Sequence, residues 1–410
     1  MTWNFPGSIA TVRSLGLCLL LVLAGCSGSD PQAADTEMEW QPSWATSIQG
    51  LEDKPDHLPP ITLAGNTLRQ FLWPTFSGET VRIQLSNEKG EAPLEIARVH
   101  LAMAATGSEP GNSYGQIDAS SDVAFTFDGE AGVIIPAGQT AWSDPVEFPL
   151  RKFKLTAISI QFGNRVPDEL STHPGSRTTS YFATGNQVSQ TALPGAQTRD
   201  RWYLLNALEV LAPADAFAIA LLGDSITDGY GVLNAFQRWP DFLTLAIEAD
   251  PELAGRVSVL NFGMGANNLT ISGPDQDSGL VRFERDVLPR DKIRYLVVLE
   301  GVNDIKFSGV QAKPIIDAYR QIVDRAHAAG ITVYGSTITP MSENNPVRNV
   351  VNASIRNDGY FDAVIDLDAA IRDPVAPDNI AQEFDKDGLH PNVAGYEAMG
   401  RAVDLSLFKL

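Results

Sequence analysis

The sequence contains little cysteine, few basic residues and none of several common ligand-binding motifs. Two cysteines among 410 residues exclude a disulfide-dense scaffold. Lysine and arginine number 30 against 50 aspartates and glutamates, which gives a formal net charge of −20. Because nucleic-acid binding needs clustered basic residues, this deficit argues against a nucleic-acid partner. The sequence also lacks a His-Glu-x-x-His metal motif and a Gly-rich phosphate loop.

Both cysteines lie near the amino terminus, at Cys18 and Cys26. Arg13 precedes an apolar run from Leu15 to Ala24, which is too short to span a bilayer and predicts a secretory signal. Leu23-Ala-Gly-Cys26 looks like a bacterial lipobox, in which residues 1–25 are removed and Cys26 is lipidated. The alternative is an ordinary signal peptide with a chance cysteine.

Lipidation of Cys26 predicts an exported protein anchored in a bacterial cell envelope, with the membrane as its partner through the acyl chains. Ser27 stands where an aspartate would favour retention in the inner membrane. We therefore expect the outer membrane, on either its periplasmic or its outer side. Residues 26–39, rich in Ser, Gly, Asp, Pro, Gln and Ala, are predicted to form a flexible tether.

Two hydrophobic patterns divide the remaining chain, as its length also suggests. Residues 40–212 carry short strand-like runs, such as 81–85 and 157–162, separated by turn residues, which predicts a β-sandwich-like domain. Residues 213–410 alternate apolar strands with helical stretches, which predicts an α/β domain with a doubly wound parallel sheet. Because ligands bind beyond the carboxyl ends of such strands, we expect the chemistry on loops that follow them.

Two candidate blocks follow the first two strands of the predicted α/β domain. Ser225 stands just past the strand that ends near Leu222, where a nucleophile is exposed and its own backbone N–H can face an oxyanion. The alternative is an ordinary serine N-cap. The stretch 261–267 can bring backbone N–H groups close to a bound oxygen, although its two glycines are equally compatible with a simple turn.

Two further blocks complete the set. Asn303, after the third strand, can place an amide donor over the same site or cap the next helix. Asp387 and His390 are three residues apart, so the carboxylate and the ring can meet on one turn. A nucleophilic serine needs a base and the base needs an orienting group, which these two residues can supply. An exposed Asp-Gly turn and a calcium loop around Asp385 are the alternatives.

These blocks, in this order, resemble those of the SGNH (GDSL-type) hydrolase family over residues 218–410. The resemblance implies a flavodoxin-like fold, a serine esterase and no metal or organic cofactor. It makes Ser225 the nucleophile, His390 and Asp387 its triad partners, and Asn303 an oxyanion donor. The sequence is also similar to that of an acetylxylan-esterase-like branch of the family, whose members often carry an amino-terminal β-rich domain. The segments that carry this similarity are 285–288, 298–305 and 361–368, together with 68–70 and 81–94.

One position departs from the family pattern. The oxyanion glycine of the second block falls on Ala266, with Gly265 before it. A left-handed alanine would cost about 1–2 kcal/mol. We therefore expect either a negative φ at Ala266 or a shifted loop in which Gly265 donates.

The substrate is less well defined than the reaction. The resemblance implies hydrolysis of small acyl esters, above all acetyl esters, with acetylated carbohydrate as the first candidate substrate. Short acyl esters, thioesters and lysophospholipids are alternatives, because this fold serves many substrates. A glycan-binding lipoprotein with an inactive hydrolase half is the rival from another class. Oligomeric state is not predicted.

Overall fold

A computed structural model describes residues 37–106, 115–343 and 345–409. The predicted signal peptide, Cys26 and the tether up to residue 36 lie outside the described residues. Residues Glu37–Leu410 form one compact unit. Within the described ranges, no helix has the length and apolar character needed to cross a membrane.

The elements of the two halves differ in kind. The strands are β1 (Met38–Ala45), β2 (Thr67–Leu72), β3 (Gly78–Ser86), β4 (Leu94–Met103), β5 (Val123–Phe125), β6 (Val133–Ile135), β7 (Thr140–Trp142), β8 (Val146–Leu150), β9 (Thr156–Phe162), β10 (Thr172–His173), β11 (Ser180–Ala183), β12 (Gln197–Arg199), β13 (Trp202–Tyr203), β14 (Leu205–Pro213), β15 (Phe217–Gly223), β16 (Val257–Gly263), β17 (Ile293–Leu299), β18 (Thr332–Ser336) and β19 (Ala363–Ile365). The helices are α1 (Ser225–Asp228), α2 (Trp239–Ala249), α3 (Gly279–Arg282), α4 (Val302–Lys306), α5 (Ala312–Ala328), α6 (Asn345–Asn357), α7 (Leu367–Ile371) and α8 (Val393–Arg401).

The amino-terminal half is built from two large antiparallel sheets and a two-stranded antiparallel sheet of β10 and β13. One has the order β1-β14-β3-β7, with β8 also on β3, and the other has the order β12-β11-β2-β9-β4-β5, with β6 also on β4. Burial alternates along β3, where Val81 and Ile83 point inward. They share one apolar core with Leu68 of β2 and Ile96 of β4. Two sheets around a common core form a sandwich, as predicted.

The carboxyl-terminal half contains a parallel sheet of order β16-β15-β17-β18-β19. Every residue of β15 is buried, as expected for a strand covered by helices on both faces. In chain order of its own strands the sheet reads 2-1-3-4-5, which is the flavodoxin-like order. The predicted doubly wound fold is therefore confirmed.

The last predicted helix is shorter than the apolar pattern suggests. The pattern favours a helix over 392–408, whereas α8 ends at Arg401 and a separate 3₁₀ turn covers Leu405–Phe408. Asp404 causes the break, because its side chain accepts a hydrogen bond from the Ser406 N–H and starts a new turn. Helices α1, α4 and α7 were not predicted, since four or five residues are too few to show a helical period.

Buried hydrogen bonds join the two halves along β1 and β16. Nε2 of Gln41 donates to Oγ of Ser258 at 2.8 Å, and Oγ1 of Thr75 donates to the Val259 carbonyl at 3.1 Å. Ala45 of β1 lies in the apolar core of the α/β half. This shared, buried boundary lets the β-rich half contribute to a site at the edge of the parallel sheet.

Candidate active site

Ser225 is the first residue of α1, and one residue separates it from the end of β15. The preceding Asp224 is the N-cap, and its side chain accepts from the Ile226 N–H at 2.9 Å. Ser225 therefore does not serve as the cap, and its Oγ lies 2.9 Å from Nε2 of His390. The serine is 6% exposed, so its hydroxyl sits at the floor of a cleft rather than on the surface.

His390 is held by Asp387 on the other side of its ring. Nδ1 of His390 lies 3.0 and 3.1 Å from the two carboxylate oxygens of Asp387. The His390 backbone N–H also donates to Asp387 at 2.9 Å, which fixes the turn. Because a carboxylate only accepts, Nδ1 carries the proton and Nε2 is free to accept from the Ser225 hydroxyl.

Burial and the local charges together favour a neutral His390 ring and an ionised Asp387 carboxylate. Burial lowers the pKa of His390; Asp387 opposes this, while Arg177 and Lys386 add to it, so the pKa lies below 6.5. Burial raises the pKa of Asp387, but the hydrogen bonds and charge of His390 outweigh it and leave the pKa below 3.8. At neutral pH His390 can therefore accept a proton.

The hydrogen bonds of this turn give no support to the alternative of a calcium loop around Asp385. Oδ1 of Asp385 accepts from the backbone N–H groups of Asp387 and Gly388 at 3.1 and 2.7 Å. Within the described ranges, no group of three or more His, Cys, Asp or Glu side chains could hold a metal ion.

Ala266 lies in the loop after β16 with φ +57°, in the left-handed region. Of the two alternatives predicted for this loop, a negative φ at Ala266 is therefore wrong. The conformation costs about 1–2 kcal/mol for a residue with a Cβ, and such strain is typical of functional loops. Among the described residues, the backbone N–H groups of Ser225, Gly265 and Ala266 have no acceptor, so all three can donate to a ligand. All three residues line the same cleft.

Asn303 lies in α4, on the same cleft. The helix N-cap is Gly301 at φ +104°, so Asn303 does not fill that position. Nδ2 of Asn303 donates to the Asn267 carbonyl at 2.7 Å. An amide nitrogen carries two hydrogens, which leaves one donor for the cleft.

The cleft has a volume of about 620 Å³ and brings the predicted residues around Ser225 together. Asp387 lies behind His390 rather than on the cleft surface. One wall comes from the β-rich half, through Gln49, Glu52, His57, Pro174, Gly175 and Arg177. This wall could not be predicted from the sequence, because its residues are distant in the chain from every motif. His173, which contacts Asp228 from the same half, was not singled out either, because the two residues are 55 positions apart in the chain.

Buried acidic groups lie beneath Ser225. Asp224 and Glu300 are fully buried, and each has one carboxylate oxygen without a partner among the described residues. Burial raises the pKa of Glu300 well above 4.5, and the nearby Asp224 raises it further, while Arg282 opposes both. Nη1 of Arg282 lies 3.2 Å from Glu300, and its Nη2 donates to Ser47 of the β-rich half at 2.8 Å.

Comparison with known proteins finds a family model that matches part of the chain. Residues 221–398 match the model of the GDSL-like Lipase/Acylhydrolase family. The match begins in β15 and ends within α8, and it includes Ser225, Asn303, Asp387 and His390. No curated protein matches the chain.

Solved structures of low identity resemble part of the chain. A member of the lipolytic G-D-S-L family from Veillonella parvula is 21% identical, with a TM-score of 0.37, over 46% of this chain and 96% of that one. The aryl esterase of M. smegmatis is 18% identical, with a TM-score of 0.37, over 46% and 96% of the two chains. A carbohydrate esterase family 3 protein from Talaromyces cellulolyticus is 19% identical, with a TM-score of 0.35, over 47% and 96%.

Proposed function

We propose that the protein is a serine esterase acting through Ser225, His390 and Asp387. The match of residues 221–398 to the GDSL-like Lipase/Acylhydrolase family model supports this proposal. The observation that carries this is the chain of contacts from Ser225 Oγ to His390 Nε2 and from His390 Nδ1 to Asp387. This is the order of nucleophile, base and orienting group that acyl transfer needs.

In the first half of the reaction, Ser225 Oγ attacks the ester carbonyl carbon while His390 Nε2 takes the hydroxyl proton. The carbonyl oxygen gains negative charge and accepts hydrogen bonds from the Ser225 and Ala266 backbone N–H groups, or from Gly265 in place of Ala266. The Asn303 amide supplies a further donor. The imidazolium of His390, stabilised by Asp387, then protonates the leaving alcohol.

In the second half, water attacks the acyl-enzyme while His390 Nε2 takes its proton. Collapse of the second tetrahedral intermediate breaks the bond to Ser225 Oγ, and His390 returns the proton to that oxygen. The acid is released and the enzyme is restored. Every proton moves through the single nitrogen that faces Ser225, so His390 must be neutral at the start of each half.

The substrate proposed here is a small acyl ester, and acetylated carbohydrate is the first class to test. The cleft, at about 620 Å³, is far larger than an acetyl group and leaves room for a bulky alcohol part. Its wall carries the polar side chains of Gln49, Glu52, His57 and Gln276, which suit a leaving group rich in hydroxyls.

The test is hydrolysis by the Ser225→Ala variant. We expect the variant to fold normally and its kcat on p-nitrophenyl acetate to fall by several orders of magnitude. The oxyanion donors should still provide some residual activity. Unchanged turnover would disprove the nucleophile. A panel of acetylated glycans and p-nitrophenyl esters of graded chain length then ranks substrates.

We further propose that Cys26 carries the lipid that anchors the protein in the cell envelope. A Cys26→Ser variant should lose incorporation of labelled fatty acid and leave the membrane fraction. The same label on both forms would contradict this proposal, independently of any result on ester hydrolysis.

A further inference from the structure

One segment of the β-rich half, residues 172–177, reaches the turn that carries Ser225. The segment begins with β10, and Pro174, Gly175 and Arg177 then line the active-site cleft. The backbone of Arg177 has φ +52°, a left-handed conformation that is unusual for a residue with a long side chain. Strain of this kind persists only where surrounding contacts hold it in place.

The partner of this segment is Asp228, the last residue of α1, which is almost completely buried. Nε2 of His173 lies 3.1 Å from Oδ1 of Asp228, and Nη2 of Arg177 donates to Oδ2. Between them, Gly175 packs so closely that a Cβ would lie 1.9 Å from Oδ2. A buried carboxylate without such partners would be strongly destabilising, so these contacts hold α1 against the β-rich half.

Arg177 also stands beside the catalytic base. Its guanidinium carbon lies 5.7 Å from the centre of the Tyr230 ring. That ring packs against His390 with 4.2 Å between ring centres and 34° between the ring planes. Nε of Arg177 is buried and has no partner among the described residues. The side chain thus joins Asp228, at the end of α1, to the aromatic face that covers His390.

Charged and titratable groups surround His390 on several sides. Asp387 bonds its Nδ1, Ser225 bonds its Nε2, and Tyr230 covers one face. Lys386, on the same loop, lies 5.9 Å from the Tyr230 ring. Arg177 and Lys386 both act to lower the pKa of His390, and of these two only Arg177 comes from the β-rich half.

We propose that the 172–177 segment is a working part of the active site, in which Arg177 is a positioning residue that anchors the Ser225 turn through Asp228 and places a cation beside the Tyr230–His390 pair. This inference rests on the proposed function. It makes the β-rich half a component of the esterase rather than a separate binding module.

The test is the titration of His390 in the full chain, followed by NMR of histidine ring carbons. Replacing Arg177 by methionine removes a nearby cation, so the midpoint of His390 should rise by several tenths of a pH unit or more. Arg177→Lys keeps the charge and should stay close to the wild type. Arg151 is the matched control, since it forms an exposed ion pair with Glu79, and Arg151→Met should leave the midpoint unchanged.

A second pair of variants separates this effect from simple misfolding. Loss of Arg177 leaves Asp228 with one fewer partner, so Arg177→Met could unfold the protein. Adding Asp228→Asn removes the buried negative charge and should restore folding. The midpoint pH of the His390 titration should then be higher in the double variant, Arg177→Met with Asp228→Asn, than in Asp228→Asn alone.

Overlapping titrations in both comparisons would overturn the proposal. The titration needs no turnover, so its failure is distinct from failure of the proposed function, which is decided by Ser225→Ala. In an active enzyme, the acid limb of kcat/KM should move with the NMR midpoint, whereas a merely structural role for Arg177 would lower activity at all pH values alike.

Discussion

Asn303 donates from Nδ2 to the backbone carbonyl of Asn267 at 2.7 Å, which ties α4 to the loop that carries Ala266. The bond also sets the orientation of the amide, because only the nitrogen can donate to a carbonyl oxygen. With one hydrogen used in this way, the other is available to the cleft. The side chain is 4% exposed, so water competes weakly for that donor.

Asn303→Ala should therefore lower kcat by about 10²–10³-fold, the usual effect of removing one oxyanion donor. Kinetics on p-nitrophenyl acetate, together with a thermal unfolding curve, measure this. The exposed helix residue Asn357 is the control, and Asn357→Ala should retain full activity. A loss below about threefold in Asn303→Ala would mean that the amide only braces the Asn267 loop.

The pH dependence of turnover should follow His390. Because its pKa lies below 6.5, kcat/KM should stay high as the pH falls to that value and drop only below it. Lys386→Met removes a cation that disfavours the imidazolium, so the acid limb should move to higher pH. The shift should shrink in salt, since Lys386 is exposed.

Lys313 provides the control for this pH experiment. It is exposed, pairs with Asp317 on α5 and plays no part in the cleft. Lys313→Met should give a pH profile that overlays the wild type. A downward shift of the acid limb in Lys386→Met would contradict the assignment of His390 as the base.

Ala266 carries a backbone strain that glycine would relieve. Ala266→Gly removes the left-handed penalty of about 1–2 kcal/mol but adds unfolded-state entropy of about 0.4–1 kcal/mol. We expect an equal or slightly higher melting temperature and unchanged kcat, because the proposed donor is the backbone N–H. Gly138→Ala, also at positive φ but in a turn of the β-rich half, is the inverse control and should destabilise. A large loss of activity in Ala266→Gly would show that the methyl group itself contacts the substrate.

Local patterns explain what could be predicted from the sequence. Strands such as β15 were predictable because a fully buried strand is a continuous apolar run, and one residue separates Ser225 from its end. Asp387 and His390 lie three residues apart, so their contact was predictable from spacing. The role of Arg177 was not, because its partner Asp228 is 51 residues away and the contact depends on how the two halves pack. The sign of φ at Ala266 also depends on tertiary packing.

The buried pair of Glu300 and Arg282 should affect the pH dependence of stability rather than that of activity. Burial raises the pKa of Glu300 in the folded state, so the folded protein holds a proton that the unfolded chain releases above about pH 4.5. Stability from this group is fully present below that value and is lost as the pH rises toward the folded-state pKa. Glutamine stays neutral at every pH and can still accept from Arg282, so Glu300→Gln should remove the loss.

Urea unfolding of the wild type and of Glu300→Gln at pH 5 and pH 8 measures this effect. The quantity to compare is the free energy of unfolding of the variant minus that of the wild type. This difference should be larger at pH 8 than at pH 5, by about 1.4 kcal/mol for each unit of the Glu300 pKa shift that titrates in that interval. Glu284→Gln, which disrupts only an exposed pair with Arg325, should show no such dependence. The opposite sign would mean that Arg282 keeps Glu300 ionised, with the buried ion pair intact beneath Ser225.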